Sequence, residues 1–218
     1  MNKNTKFTIA IDGSSASGKT TGSKLIAKKF NFKLLSSGKL YRFVAYKIVK
    51  NKYKYNQKFI KYISSRISLK KLKNKELYSP EVTSLSALIA KKKYIRKELK
   101  NFQISFIKKN KKVIIEGRDI ASKIMPDADL KIYFRCSIKE KAKRRLKEYK
   151  KINKYISIKE VEKSLKMRDF SDKNRKESPL LFVKGAVLVD TTKLTINQMR
   201  SVLVKLVRKN ILKKYGNL

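Results

Sequence analysis

The stretch FTIAIDGSSASGKTT, Phe7–Thr21, decides the fold of this chain. It opens with FTIAI (Phe7–Ile11), a β-branched and apolar run that reads as a strand, and then turns polar and glycine-rich. Gly13-Ser14-Ser15-Ala16-Ser17-Gly18-Lys19-Thr20 fits GxxxxGK[ST], placed between an expected strand and an expected helix as that motif requires. Gly13 and Gly18 let the backbone curl so that successive N–H groups face inward. The helix that begins near Lys19 adds the positive end of its dipole. Residues Gly13 through Thr21 are therefore the expected ATP-binding loop. Lys19 is expected to reach the β- and γ-phosphates, and the Thr20 hydroxyl to meet Mg2+ carried with ATP.

Working outward, the same strand-then-helix alternation recurs. FKLL (Phe32–Leu35), VIIE (Val113–Glu116), LKIYF (Leu130–Phe134) and AVLVD (Ala186–Asp190) are short, nearly continuous apolar runs, as strands of a parallel sheet covered on both faces should be. Ser137 with Glu140, Ser157 with Glu160 and Thr195 with Gln198 have capping-box spacing and mark helix starts. Leu25, Ile26 and Phe30 give the first helix an apolar stripe. The expectation is an α/β fold: a doubly wound, parallel, five-stranded sheet with a phosphate loop. Two helical insertions interrupt it, one over about 39–112 and a charge-dense one over about 148–179. The core then comprises about 1–38, 113–147 and 180–218, and no linker marks a second domain.

Composition narrows the chemistry. The 218 residues hold 58 Lys and Arg against 16 Asp and Glu, a net charge of +42, with no histidine and no tryptophan. Without an imidazole, Ser/His and Cys/His nucleophilic designs and most zinc sites are excluded. The lone Cys136 can form neither an internal disulfide nor a cysteine metal cluster, and reads as a small buried thiol in a reducing, cytoplasmic compartment. No run is apolar and long enough for a membrane span, and no secretory leader is visible. The lysines are scattered rather than blocked, and Lys, Asn, Ile, Tyr and Phe rise together, as AT-rich codon usage produces. The charge implies non-specific attraction for polyanions and steering of small phosphorylated substrates.

Arginines gather near expected strand ends and in the second insertion. Ser36-Ser37-Gly38-Lys39-Leu40-Tyr41-Arg42 follows the second strand, Glu116-Gly117-Arg118-Asp119 the third, and Arg168, Asp169, Asp172 and Arg175 lie in the later insertion. The carboxyl ends of strands form the ligand crevice of doubly wound sheets, and the guanidinium fork binds phosphate oxygens in pairs.

On these residues the sequence resembles the bacterial cytidylate kinase family, in order through nearly the whole chain. IAIDGSSASGKTT is similar to its phosphate loop, SSGKLYR to its acceptor-phosphate segment, EGRDIASKIMPDADLKIYF to its third strand, turn and fourth strand, RDFSDKNRKESPL to its lid, and VLVDTT to its last strand. The resemblance implies a monomeric enzyme that phosphorylates CMP or dCMP from ATP. It implies that Arg42 and Arg118 hold the acceptor phosphate with Ser37 nearby, that Arg168 and Arg175 reach the transferring group and the acceptor from the lid, and that Asp172 meets the ribose. With Lys19, the arginines Arg118, Arg168 and Arg175 form the implied catalytic set. Arg96 with Asp119 would read the base: cytosine offers an amino donor that a carboxylate accepts, where uracil presents an acceptor that it repels. This chain departs from the family's usual pattern at Ser14 (Pro), Ser36 (Asp), Ala87 (Ser, with Ser84 and Ser86 close by) and Ser171 (often Arg). Its segment from about 43 to 78 is shorter and more basic. Other readings left open are a phosphate-loop kinase for UMP or AMP, a nucleotide-dependent RNA-binding protein, and a degenerate family member.

Overall fold

The computed structural model describes residues 6–150 and 155–216. Residues 1–5 of the expected core, 151–154 of the expected lid and 217–218 lie outside the described residues. The strands are β1 (Phe7–Gly13), β2 (Lys33–Ser36), β3 (Lys112–Gly117), β4 (Leu130–Arg135) and β5 (Ala186–Asp190), each within two residues of its expected bounds. They form one sheet in the order β2-β3-β1-β4-β5. β1 pairs in parallel with β3 (Ile9 opposite Ile114) and with β4 (Ile9 opposite Leu130), and β4 with β5. Parallel strands need long crossovers, which is why helices separate them in sequence.

The chain divides into two compact units, one of residues 6–34 with 111–216 and one of 35–110. In the first, every residue of β1 is buried. Phe7, Ile9 and Ile11 pack with Ile114, Leu130, Ile132 and Phe134 against two helices, α1 (Lys19–Phe30) through Ile26 and α8 (Ile196–Tyr215) through Met199, Leu203, Val207 and Ile211. α1 can come this close because Gly22 has no side chain: a Cβ there would sit 2.7 Å from Phe134 Cζ and 2.9 Å from Leu203 Cδ1. Cys136, just past β4, is a buried free thiol, as expected. β5 is an edge strand with Val187 and Leu188 about 40% exposed (38% and 40%), so that side of the sheet is less covered than its apolar sequence implies.

The same unit carries α6 (Ile138–Lys150) and α7 (Ile158–Asn174). They join through Ala142, Val161 and Leu165, ringed by Ile138, Leu146, Tyr149 and Ile156. α7 starts with the full Ser157/Glu160 capping box, and α8 with the Thr195/Gln198 box. At α6 only half of the expected box forms. Ser137 Oγ accepts from the Glu140 N–H, but the Glu140 carboxylate turns to Arg144 at 3.0 Å, a charged partner preferred to a backbone N–H.

The second unit is helical, with α2 (Ser37–Lys50), α3 (Gln57–Ser65), α4 (Pro80–Ile89) and α5 (Lys93–Lys109), plus short 3₁₀ turns at Lys71–Lys73 and Lys75–Tyr78. Its buried side chains include Leu40, Val44, Ile48, Ile60, Leu77, Ile89, Ile95 and Leu99. Asn56 caps α3, and Ser79 caps α4 with Pro80 in its first turn, where a missing N–H costs nothing.

Candidate active site

The phosphate loop is shaped by three residues with positive φ: Gly13 at 154°, Ala16 at 57° and Gly18 at 87°. At Gly13 a side chain is excluded twice, by conformation and by Phe134 O, 2.6 Å from where a Cβ would stand. Ala16 adopts the left-handed region without glycine's freedom, a local strain that the surrounding hydrogen bonds must hold. Ser17 Oγ donates to Ser14 O at 2.9 Å, Thr191 Oγ1 donates to Ser17 O at 2.9 Å, and Arg144 holds Thr191 through its hydroxyl (3.0 Å) and carbonyl (2.7 Å).

Lys19 is buried and donates to Ser14 O at 3.2 Å. Burial, then the positive charges of Arg118 and Arg168, pull its ammonium down to about 7 against the opposing charge of Glu116. A buried cation beside two guanidinium groups is costly to hold, and the negative charge of a polyphosphate would offset that cost. Thr20 Oγ1 donates to Glu116 Oε1 at 2.9 Å, while Glu116 Oε2 is buried without a hydrogen-bond partner among the described residues. A hydroxyl and a carboxylate with an unmet oxygen are hard donors that fit Mg2+, which usually takes one or two protein oxygens and fills its shell from water and phosphate. No cluster of three or more His, Cys, Asp or Glu able to hold a metal occurs among the described residues.

Beyond β3, Asp12 fixes the next segment. Its buried carboxylate accepts from the N–H groups of Ile120 (2.9 Å) and Ala121 (2.7 Å), the first turn of a π-helical segment, Ile120–Ile124, that directly follows Arg118 and Asp119. Burial pushes this carboxyl up to about 6, against the pull of those two N–H groups. Arg118 Nε donates to Asp172 Oδ2 at 2.7 Å, both side chains 15% exposed, and Arg175 Nη1 lies 3.5 Å from Asp172 Oδ1. Burial alone would raise the Asp172 carboxyl, but Arg118, Arg168 and Arg175 together hold it below the usual carboxylate range. Four expected residues, Arg118, Arg168, Asp172 and Arg175, thus form one charged cluster whose field reaches Lys19. Asp119, next to Arg118 in the chain, is buried.

In the second unit, Ser37 is buried at the start of α2. Arg42, one turn on, donates through Nη1 to Leu77 O (2.9 Å) and Thr83 Oγ1 (2.5 Å), its guanidinium 4.9 Å from the Tyr78 ring centre. Arg96 donates to Ala90 O at 2.9 Å and stands over the Tyr41 ring. Ala87 and Ser84 are exposed on α4, and the buried Ser86 donates to Thr83 O at 2.8 Å.

Asp12, Glu116, Lys141, Arg144, Arg145 and Thr191 carry no motif that marks them in the sequence, yet each bonds within this site. Lys141 of α6 is buried, donates to Ser14 Oγ at 3.1 Å and pairs with Asp169. Arg145, one turn later, donates to Ser15 Oγ at 2.9 Å and to Glu148 at 2.7 Å. Among so many basic residues nothing local marks these three α6 cations. Glu116 and Asp12 had a signal, an acidic residue closing an otherwise apolar buried strand.

A parallel sheet with a glycine-cradled lysine after β1, and arginines brought beside it from β3 and α7, defines a phosphate-loop phosphotransferase. Comparison with known proteins agrees. The profile of cytidylate kinases matches residues 9–209. Cytidylate kinase of Mesomycoplasma hyopneumoniae (strain 232) is 37% identical, covering 94% of this chain and 95% of that one. That of Fusobacterium nucleatum subsp. nucleatum is 35% identical, covering 92% and 97%. In fold, TT1252 from Thermus thermophilus is similar at a TM-score of 0.52 with 16% identity, over 94% of this chain and 98% of that one. The chain belongs to the cytidylate kinase family.

Proposed function

We propose that this chain transfers the γ-phosphoryl group of ATP to CMP, and to dCMP, giving ADP with CDP or dCDP in pyrimidine nucleotide metabolism. The observation that supports it most is a buried Lys19 on the phosphate loop whose ammonium is depressed first by burial and then by the charges of Arg118 and Arg168, in a member of this family. An acceptor phosphate oxygen attacks the γ-phosphorus in line and ADP leaves. The acceptor is already anionic, so no histidine base is needed, and catalysis rests on positioning and charge stabilisation.

In this reading the N–H groups of Gly13 to Thr21 cradle the ATP phosphates, and Lys19 bridges toward the γ-phosphate. Thr20 and Glu116 would hold Mg2+, which would supply positive charge to neutralise the phosphates. Arg118 and Arg175 exchange the Asp172 carboxylate for phosphate oxygens as the acceptor arrives, leaving Asp172 for the ribose hydroxyl, and Arg168 steadies the charge spreading over the transferring group. Ser37 and Arg42 are assigned the acceptor phosphate, and Arg96 and Asp119 the base. The chain acts as one kinase domain in which residues 39–112 form the acceptor-binding insertion and 148–179 the lid. Lid closure excludes water that would otherwise take the phosphoryl group. None of the described helices is long and apolar enough to cross a membrane. We place the enzyme in the cytoplasm as a monomer.

An ADP-release assay with CMP, dCMP, UMP and AMP as acceptors tests the reading. CMP or dCMP should stimulate turnover most. Preference for AMP or UMP moves the enzyme to another acceptor, and strong salt-sensitive RNA affinity without acceptor-stimulated turnover overturns the kinase reading.

A further inference from the structure

Lys141 is a charged side chain in a place where charge is costly. It is 4% exposed, and a buried ammonium persists only when paired and hydrogen-bonded. Both requirements are met, by different parts of the chain. Its Nζ donates to Ser14 Oγ at 3.1 Å on the phosphate loop and pairs with the Asp169 carboxylate on α7. Neither end is loose. The Ser14 carbonyl simultaneously accepts from Lys19 Nζ (3.2 Å) and Ser17 Oγ (2.9 Å). α6 itself is held independently by Arg145 on Ser15 Oγ and by Arg144 on Thr191. The bridge therefore runs from a fixed loop, through a fixed helix, to α7.

What it reaches on α7 matters. Asp169 directly follows Arg168 and lies three residues before Asp172, and Arg175 caps the same helix, so the pair grips the turn that presents the cluster facing Lys19. The apolar contact between α6 and α7 lies at Ala142 of α6 and at Val161 and Leu165, on earlier turns of α7. Packing of that kind is non-directional and fixes neither the rotation nor the height of the later turn. Directed ion pairs do, Arg118 with Asp172 from the end of β3 and Lys141 with Asp169 from α6.

We propose that Lys141 is a positioning residue, tying α7 to the phosphate loop through Asp169 and the Ser14 hydroxyl and so setting where Arg168, Asp172 and Arg175 stand for phosphoryl transfer. It acts through those residues, by the two contacts its ammonium makes with Ser14 and Asp169. This rests on the kinase reading above.

The test compares Lys141→Met, Ser14→Ala and the double variant with the wild-type chain by two measurements. The first is hydrogen exchange of α7 amides in the nucleotide-free protein, read without any acceptor. The second is CMP phosphorylation, with the dissociation constant of a non-hydrolysable ATP analogue measured separately. Lys141→Met should speed exchange across residues 165–174 and lower kcat about 10-fold, the scale on which misplaced catalytic groups lose rate, while the analogue's dissociation constant moves less than about 3-fold. Ser14→Ala should act in the same direction but less, and the double variant should equal Lys141→Met, because the hydroxyl acts only through that lysine. Unchanged α7 exchange in Lys141→Met, or single effects on kcat that multiply in the double variant, would overturn the proposal. Should Lys141→Met not fold, Asp169→Asn, which keeps the side-chain volume and removes the ion pair, carries the same two measurements with the same expected and refuting results. Failure of the wild-type chain to phosphorylate CMP counts against the kinase reading alone, because the exchange result stands without it.

Discussion

Replacing Asp12 with Asn separates the electrostatic from the steric part of that residue's work. Burial holds the folded-state carboxyl near 6 where its ordinary value is 3.8. Between those values the folded chain binds more protons than the unfolded chain, so this group's contribution to stability is full below about pH 3.8 and is lost as pH rises through about 6. At 1.36 kcal/mol per pH unit the displacement is worth about 3 kcal/mol in all, of which about 2 kcal/mol falls between pH 4 and 7. Asp12→Asn does not titrate. It also loses one of the two bonds to the Ile120 and Ala121 N–H groups, a cost on the order of 1–3 kcal/mol that does not vary with pH. Urea unfolding of both proteins at pH 4, 5, 6 and 7 should show the wild-type advantage over Asp12→Asn shrinking steadily by about 2 kcal/mol as pH rises. A difference that is flat across this range, or that grows, would refute the argument that burial dominates the Asp12 environment.

Lys19→Ala should lose on the order of 10²-fold or more in turnover, as removal of other transition-state charge contacts does, and a folded variant with near-normal kcat would count heavily against the mechanism. For Asp119→Ala, the ratio of kcat/KM for CMP over UMP should fall toward one, and an unchanged ratio moves base reading elsewhere. Gly22→Ala sets a helix-propensity gain of about 1 kcal/mol against overpacking of about 1–3 kcal/mol, with Phe134 and Leu203 under 3 Å from the new methyl, so a lower melting temperature is expected.

The phosphate loop was legible because its geometry demands glycine at two fixed positions, and few side-chain patterns imitate that. Strands β1 and β3 were legible because burial on both faces leaves their centres apolar, and β4 because its buried Leu130, Ile132 and Phe134 recur at every second residue. Two capping boxes could be read locally, whereas Ser137/Glu140 could not, because the competitor for its carboxylate, Arg144, is itself a basic residue in a lysine-rich helix. The same camouflage hid Lys141 and Arg145: their burial depends on α7 folding back over α6, and nothing in a run such as KAKRRLKE distinguishes a buried ammonium from a solvated one. Arg118, Arg168, Asp172 and Arg175 could be named through family resemblance. Their mutual ion pairing could not, since it depends on which carboxylate the fold of α7 brings within reach of Arg118.

Strand β5 leaves one side of the sheet with Val187 and Leu188 partly exposed and backbone groups able to continue the ladder, a form that invites identical chains to stack edge on edge. Each copy also carries a net +42. At low ionic strength that like charge keeps neighbours apart. Added salt shortens its range to about 3 Å near 1 M and removes the barrier without altering the fold. Colloidal stability of this protein should therefore fall with salt, and turbidity should appear first in concentrated, high-salt solutions, the reverse of a protein that clumps through opposite charges.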